Sequence, residues 1–306
     1  MRFEDAYYKY IEFAIVKQKK QSVMTLKNRF KYCILPFFKD FDIYKIKEID
    51  YLNWQHYCLQ QKYSNNYLRG LHYVMSSFFD YCILFLNLDH NIAKKVGNFR
   101  LCSKKVEHDF YTLKEFKKFI GGFDNEIYKQ FFILMFFCGT RPGEAMALRF
   151  SDLSYCSISI NKTISEHSFD GSRVIYDPKS IDSFRSIVID KKLYNDLLKL
   201  KFLYKKKYND CNFDFYIFGG IKPLAPTTIN RYKKIACDRV GIRPIKLHEF
   251  RHSHASFLNA YNIPMQQITE RLGHSSVSVT SSIYVHLNDN EKKRITRILN
   301  FFRLFF

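Results

Sequence analysis

Apolar residues recur at helical spacing through the first hundred positions. Ser22 stands ahead of Val23, Leu26, Phe30, Ile34 and Leu35. Asp50 stands ahead of Leu52, Trp54 and Leu59, and Ser64 ahead of Leu68, Leu71, Val74, Met75 and Phe78. Steps of three and four place such positions on one helix face, and a preceding Ser or Asp supplies an N-cap. Lys and Arg fall between the apolar positions. The pattern predicts an all-helical domain over residues 1–100. From Ala93 to Lys105 the chain turns polar and basic, with Gly97 and Asn98, and reads as interdomain linker; the domain division places the linker at 101–110. A second domain, 111–306, opens at Thr112, where Glu115 three residues on completes a capping-box pattern. Helices are expected to about Leu148. They include the run Phe131–Cys138, too short to span a bilayer and therefore a buried helix. Then the period changes. Ile158, Ile160 and Ile164 alternate with polar residues, and Val174–Tyr176 and Ile187–Ile189 follow turn residues, predicting a small antiparallel sheet of about three strands. Helical texture returns after Asp190, broken at Gly219–Gly220, Pro223, Pro226, Gly241, Pro244 and Pro264. The expected fold class is mainly α with a small antiparallel β-sheet, in two domains.

Charge adds a partner. Lys and Arg number 49 against 29 Asp and Glu, a net +20 over 306 residues. The excess is not a tail: residues 1–105 hold 18 basic and 9 acidic residues, and residues 106–306 hold 31 and 20. Two basic halves point to a polyanion gripped by both. The eight cysteines are scattered, no two within five residues, which excludes a disulfide scaffold and a CxxC site. Arg2, Glu4 and Asp5 break any secretory h-region. Reduced thiols and a cytoplasmic location follow as expectations.

Three short motifs carry the candidate chemistry. In Gly139-Thr140-Arg141-Pro142-Gly143-Glu144-Ala145, Pro142 suits the first helical position, so Arg141 sits beside a helix N-terminus where a guanidinium and free N–H groups suit a phosphate oxygen. In Leu247-His248-Glu249-Phe250-Arg251-His252, helical spacing puts His248, Arg251 and His252 on one face. Leu247, Phe250, Phe257, Leu258 and Tyr261 fall on another, facing the core. The same string also reads as the zinc-protease pattern H-E-x-x-H. Arg251 on the ligand face opposes a divalent cation, and only Glu270 offers a third ligand. The last motif is Leu272-Gly273-His274, with Gly273 as a helix C-cap, followed ten residues later by Tyr284.

The ordered set Arg141, His248-x-x-Arg251, His274 and Tyr284, with the strings GTRPGEAMAL, LHEFRHSHAS and ERLGHSSVSVT, resembles the tyrosine recombinase (phage integrase) family over roughly 110–290. The resemblance implies a helical core-type DNA-binding domain followed by a catalytic domain. It implies that Tyr284 is the nucleophile, Arg141 and Arg251 the charge stabilisers, His274 a hydrogen-bond donor and His248 a base or orienting group. It further implies a catalytic lysine in the turn between the second and third strands. Lys179 stands there, with Lys162, Arg173 and Arg185 flanking the same hairpin; Ser180 replaces the family's usual Thr.

The implied product is a 3′-phosphotyrosine, made without cofactor or metal. The implied partners are double-stranded DNA recombination sites, three further copies of the chain, and accessory DNA-bending or directionality factors, but no membrane. An integrase of a mobile element is the leading expectation. A Xer-like resolvase of chromosome dimers is the alternative within the class, since little sequence precedes Ser22 to form an arm-binding domain. A DNA-binding module without catalysis and a zinc protease are the alternatives outside it.

Overall fold

The computed structural model describes residues 1–101, 109–165, 174–176, 184–210, 212–273, 297–298 and 301. The chain divides into two compact units, Met1–Lys105 and Val106–Phe306, each with its own apolar core. No described helix is long and apolar enough to cross a membrane.

The described part of the first unit is helical: α1 (Phe3–Lys17), α2 (Lys20–Arg29), a π-helical turn at Phe30–Ile34, α3 (Leu35–Phe38), α4 (Glu48–Gln60), α5 (Asn65–Leu86) and α6 (Ile92–Val96). Phe3, Phe30, Phe38, Trp54 and Phe78 are fully buried at its centre. The π-turn leaves the Cys33 carbonyl to accept from Trp54 Nε1 at 2.9 Å. Ser64 caps α5 by accepting from the Tyr67 N–H.

Three local expectations are corrected. Ser22 lies inside α2, which begins at Lys20. Asp50 is not the cap of α4 but its third residue, and its carboxylate takes the Lys47 N–H at 2.8 Å. The buried face of α4 therefore runs Tyr51, Trp54, Gln55 and Cys58, and leaves Leu52 and Leu59 exposed. Ala93 and Phe99, inside the stretch read as linker, are buried in the first core.

The second unit opens with α7 (Leu113–Ile120). Thr112 and Glu115 form the reciprocal cap: Thr112 N–H donates to Glu115 Oε2 at 2.8 Å, and Glu115 N–H to Thr112 Oγ1 at 3.3 Å. Next come α8 (Glu126–Cys138), buried throughout its last nine residues, and α9 (Pro142–Ala147). The strands are β1 (Leu153–Ser154), β2 (Ser157–Ile160), β3 (Thr163–Ser165), β4 (Val174–Tyr176) and β5 (Arg185–Val188).

Strand β2 sits between β1 and β5, antiparallel to both, with Ile158 opposite Ile187 and Ile160 opposite Arg185. The expected three-stranded antiparallel sheet is thus present, but Ile164 and Val174–Tyr176, read as part of it, form the separate antiparallel pair β3–β4. The break falls at Asn161–Lys162, whose side chains both turn onto the buried carboxylate of Asp152. Up to residue 273 the chain continues with α10 (Lys191–Tyr208), capped by Asp190; α11 (Pro226–Val240); α12 (Glu249–Ala260); and α13 (Met265–Leu272). α12 packs against α8, which fixes the placement of the candidate site.

Candidate active site

Three arginines from three elements converge on one carboxylate. Arg141 precedes α9 in extended conformation, with Pro142 in the first helical position. Its backbone N–H donates to Glu144 Oε2 at 2.8 Å, and its Nη1 donates to Oε1 at 2.7 Å. Arg185, the first residue of β5, grips the same carboxylate with Nη1 at 3.2 Å from Oε1 and Nη2 at 2.8 Å from Oε2. Arg251, in the first turn of α12, places Nη1 4.0 Å from Oε2. Burial alone would raise the Glu144 pKa. The hydrogen bonds and charges of Arg185 and Arg141 outweigh it and hold the group below the usual carboxylate value.

The same three arginines meet again at the end of α13. A helix C-terminus leaves carbonyls without intrahelical partners and carries partial negative charge. Arg185 Nε donates to the Arg271 carbonyl at 3.0 Å, Arg251 Nη2 to that of Leu272, and Arg141 Nη2 to that of Gly273 at 3.1 Å. Arg251 Nη1 also donates to the Gly139 carbonyl at 2.8 Å. Two left-handed glycines make this possible: Gly139 closes α8 at φ 64° and Gly273 closes α13 at φ 67°. Arg251 is buried. Burial first, then the charges of Arg141 and Arg185, pull its guanidinium down to about 9, still protonated at neutral pH. The Arg141 side chain is 34% exposed and keeps a face toward solvent.

His248 immediately precedes α12, with its ring centroid 5.2 Å from that of His252. Desolvation, then the neighbouring His252 and Arg251, lower its pKa, so the imidazole is neutral at pH 7. Arg141, His248 and Arg251 are thus brought together. Lys179, His274 and Tyr284 lie outside the described residues, as does Arg173; in the chain, His274 directly follows Gly273. Lys162 is committed elsewhere, its Nζ 2.6 Å from the Asp152 carboxylate. Tyr261 ends α12 at 38% exposure rather than in the core.

Sequence reasoning passed over Glu144, Arg271 and His254. The signal for Glu144 was its place three residues after Arg141, where a carboxylate takes the N-cap N–H. His254 is fully buried beneath Gly139, and its Nδ1 donates to the Phe136 carbonyl at 2.7 Å. Burial, then the charge of Arg271, push its pKa well down and keep it neutral. Among the described residues no three His, Cys, Asp or Glu side chains gather as a metal site, and Arg251, one residue before His252, is buried against carbonyls.

The sequence profile of the phage integrase family matches residues 110–291. The chain belongs to the phage integrase family. The ICEBs1 integrase of Bacillus subtilis (strain 168) is 31% identical over 269 residues, covering 86% of this chain and 73% of that protein. Among solved structures, the Tn1549 transposon integrase in complex with transposon right end DNA superposes with a TM-score of 0.74 at 15% identity, over 98% of this chain and 99% of that one. A lambda integrase tetramer bound to a Holliday junction superposes with a TM-score of 0.66 at 16% identity, over 94% and 81%. These two structures share the fold. As a phage integrase family member, the protein is a tyrosine-type site-specific recombinase. Beside these integrases the resolvase alternative is not favoured.

Proposed function

We propose that this recombinase breaks and rejoins duplex DNA for a mobile genetic element through a 3′-phosphotyrosine formed by Tyr284, with Arg141, Lys179, His248, Arg251 and His274 serving that step. What supports the assignment is the convergence of Arg141 and Arg251 on the end of α13, one residue before His274. Phosphodiester exchange needs a nucleophile, stabilisation of transition-state charge and an acid for the leaving group. The Tyr284 oxygen attacks phosphorus and its proton passes to His248, a neutral imidazole at pH 7. Arg141 and Arg251 hold the non-bridging oxygens, and an entering phosphate anion would draw the Arg251 pKa back up. Lys179 gives its proton to the departing 5′-oxygen. The phosphotyrosine is a diester like the bond it replaces, so rejoining needs no external energy source.

DNA is the polyanion that the +20 charge favours, and four protomers on two sites are the working assembly. Integrase structures solved on DNA, including a tetramer, support both readings. Accessory DNA-bending or directionality factors and a cytoplasmic location complete the proposal. The test uses a duplex whose scissile 5′-oxygen is replaced by sulfur, a leaving group that needs little protonation. Lys179→Ala should lose about 10²–10⁴-fold on the ordinary diester and recover most of it on the sulfur substrate. Arg141→Ala should not recover. Equal rescue of both variants, or of neither, would remove Lys179 from the role.

A further inference from the structure

We infer that Arg185 is a positioning residue for DNA cleavage: it fixes the Glu144 carboxylate, and through it Arg141, while tying β5 to the end of α13. The inference rests on the assignment of Arg141 to the scissile phosphate.

All three guanidinium nitrogens of Arg185 are engaged within the protein, Nε on the Arg271 carbonyl and Nη1 and Nη2 on Glu144. Its side chain is 8% exposed, so it faces the scaffold rather than substrate. Glu144 Oε1 is shared between Arg141 at 2.7 Å and Arg185 at 3.2 Å. Arg251 Nη1 stands 4.0 Å from Oε2, just beyond a hydrogen bond. The carboxylate is therefore held between competing cations. Without the Arg185 fork it would swing toward Arg251 and draw Arg141 with it.

The tie between β5 and α13 is reciprocal. Arg185, at the start of β5, donates to the backbone of Arg271; the Arg271 side chain donates back to the Val188 carbonyl at the end of β5, and to Phe137 at the end of α8, both at 3.3 Å. A lysine at 185 would keep the charge but cannot span carboxylate and carbonyl with one ammonium.

The test measures strand cleavage on a nicked duplex carrying the recombination site, defined by sequencing the DNA that flanks the gene. Displacing a catalytic group by an ångström costs up to about 100-fold, so Arg185→Lys should cleave roughly 10–100-fold more slowly at saturating DNA. Its half-saturating DNA concentration should stay close to wild type, while its thermal midpoint falls because the buried hydrogen bonds of the guanidinium are lost. Because Arg185 acts through Glu144, adding Arg185→Lys to Glu144→Gln should slow cleavage no more than about threefold beyond Glu144→Gln alone. If Arg185→Lys fails to fold, the neutral pair Glu144→Gln with Arg185→Gln must still cleave at the Glu144→Gln rate. Multiplying effects, or a wild-type rate in Arg185→Lys, would overturn the inference. Arg141→Ala separates the two readings. Loss of cleavage there with a wild-type rate in Arg185→Lys overturns only the role of Arg185; unimpaired cleavage in Arg141→Ala overturns the site assignment beneath it.

Discussion

Glu144 holds Arg141 by both its backbone and its side chain, taking the N–H at 2.8 Å and Nη1 at 2.7 Å. One buried carboxylate thereby sets where a helix begins and where a candidate catalytic guanidinium points. Its negative charge also faces Arg141, Arg185 and Arg251 together.

Glu144→Gln leaves three guanidinium groups around a neutral amide. Removing one partner of a buried ion pair costs about 3–5 kcal/mol, and urea denaturation should show a loss of that order. Sulfate can replace part of the lost negative charge, so it should stabilise the variant more than the wild type. A denaturation midpoint equal to wild type would mean that Glu144 is not the anchor.

Gly139 should tolerate no side chain. Its φ of 64° disfavours any L-residue, and an added Cβ would fall 2.5 Å from His254 Cδ2 and 2.6 Å from Leu272 Cδ2. Gly139→Ala should destabilise the chain by more than about 2 kcal/mol. It should also depress cleavage, because the Gly139 carbonyl is one of the two acceptors of Arg251. Calorimetry and a cleavage assay together check it; a variant unchanged in both would contradict the tight turn.

His254 makes stability depend on pH. Its pKa is lower in the folded chain than its ordinary value, because burial and the Arg271 and Arg251 charges disfavour the imidazolium. The unfolded chain therefore binds the extra proton first. Stability should be fully present above about pH 6.5 and fall as the pH drops below it, by up to about 1.4 kcal/mol per pH unit. The lowered pKa of His248 acts in the same direction. His254→Asn, which keeps a donor for the Phe136 carbonyl, should flatten the slope of unfolding free energy between pH 7 and 5. An unchanged slope would place the titration elsewhere.

Much of this was legible in the sequence because it was local. The capping pair Thr112 and Glu115, the apolar run in α8, and the glycine at 273 each depend on neighbours a few residues away. Register and burial were harder to read. Leu52 and Leu59 fit a helical spacing, yet a different face of α4, led by Tyr51 and Trp54, meets the core. The split of the strands into two sheets falls where Asp152 takes Asn161 and Lys162 from nine and ten residues away, a pairing that local spacing does not announce.

At the site, the motif residues Arg141, His248 and Arg251 announced themselves by type and order. Their scaffold did not. Arg185 and Glu144 lie 41 residues apart, and Arg141 and the Gly273 carbonyl 132 apart, so their meeting is a property of packing.

Cleavage of DNA by covalent attachment to Tyr284 is tested most directly by trapping the intermediate. A nicked suicide duplex releases a short fragment after attack, so rejoining fails and the adduct accumulates. The wild-type chain should run as a covalent protein–DNA band on a denaturing gel, and mass spectrometry of its peptides should place the nucleotide on Tyr284. Tyr284→Phe, which loses only the hydroxyl, should bind the duplex as wild type does and form no band. A covalent band in Tyr284→Phe, or an adduct mapped to another residue such as Tyr261, would contradict the account.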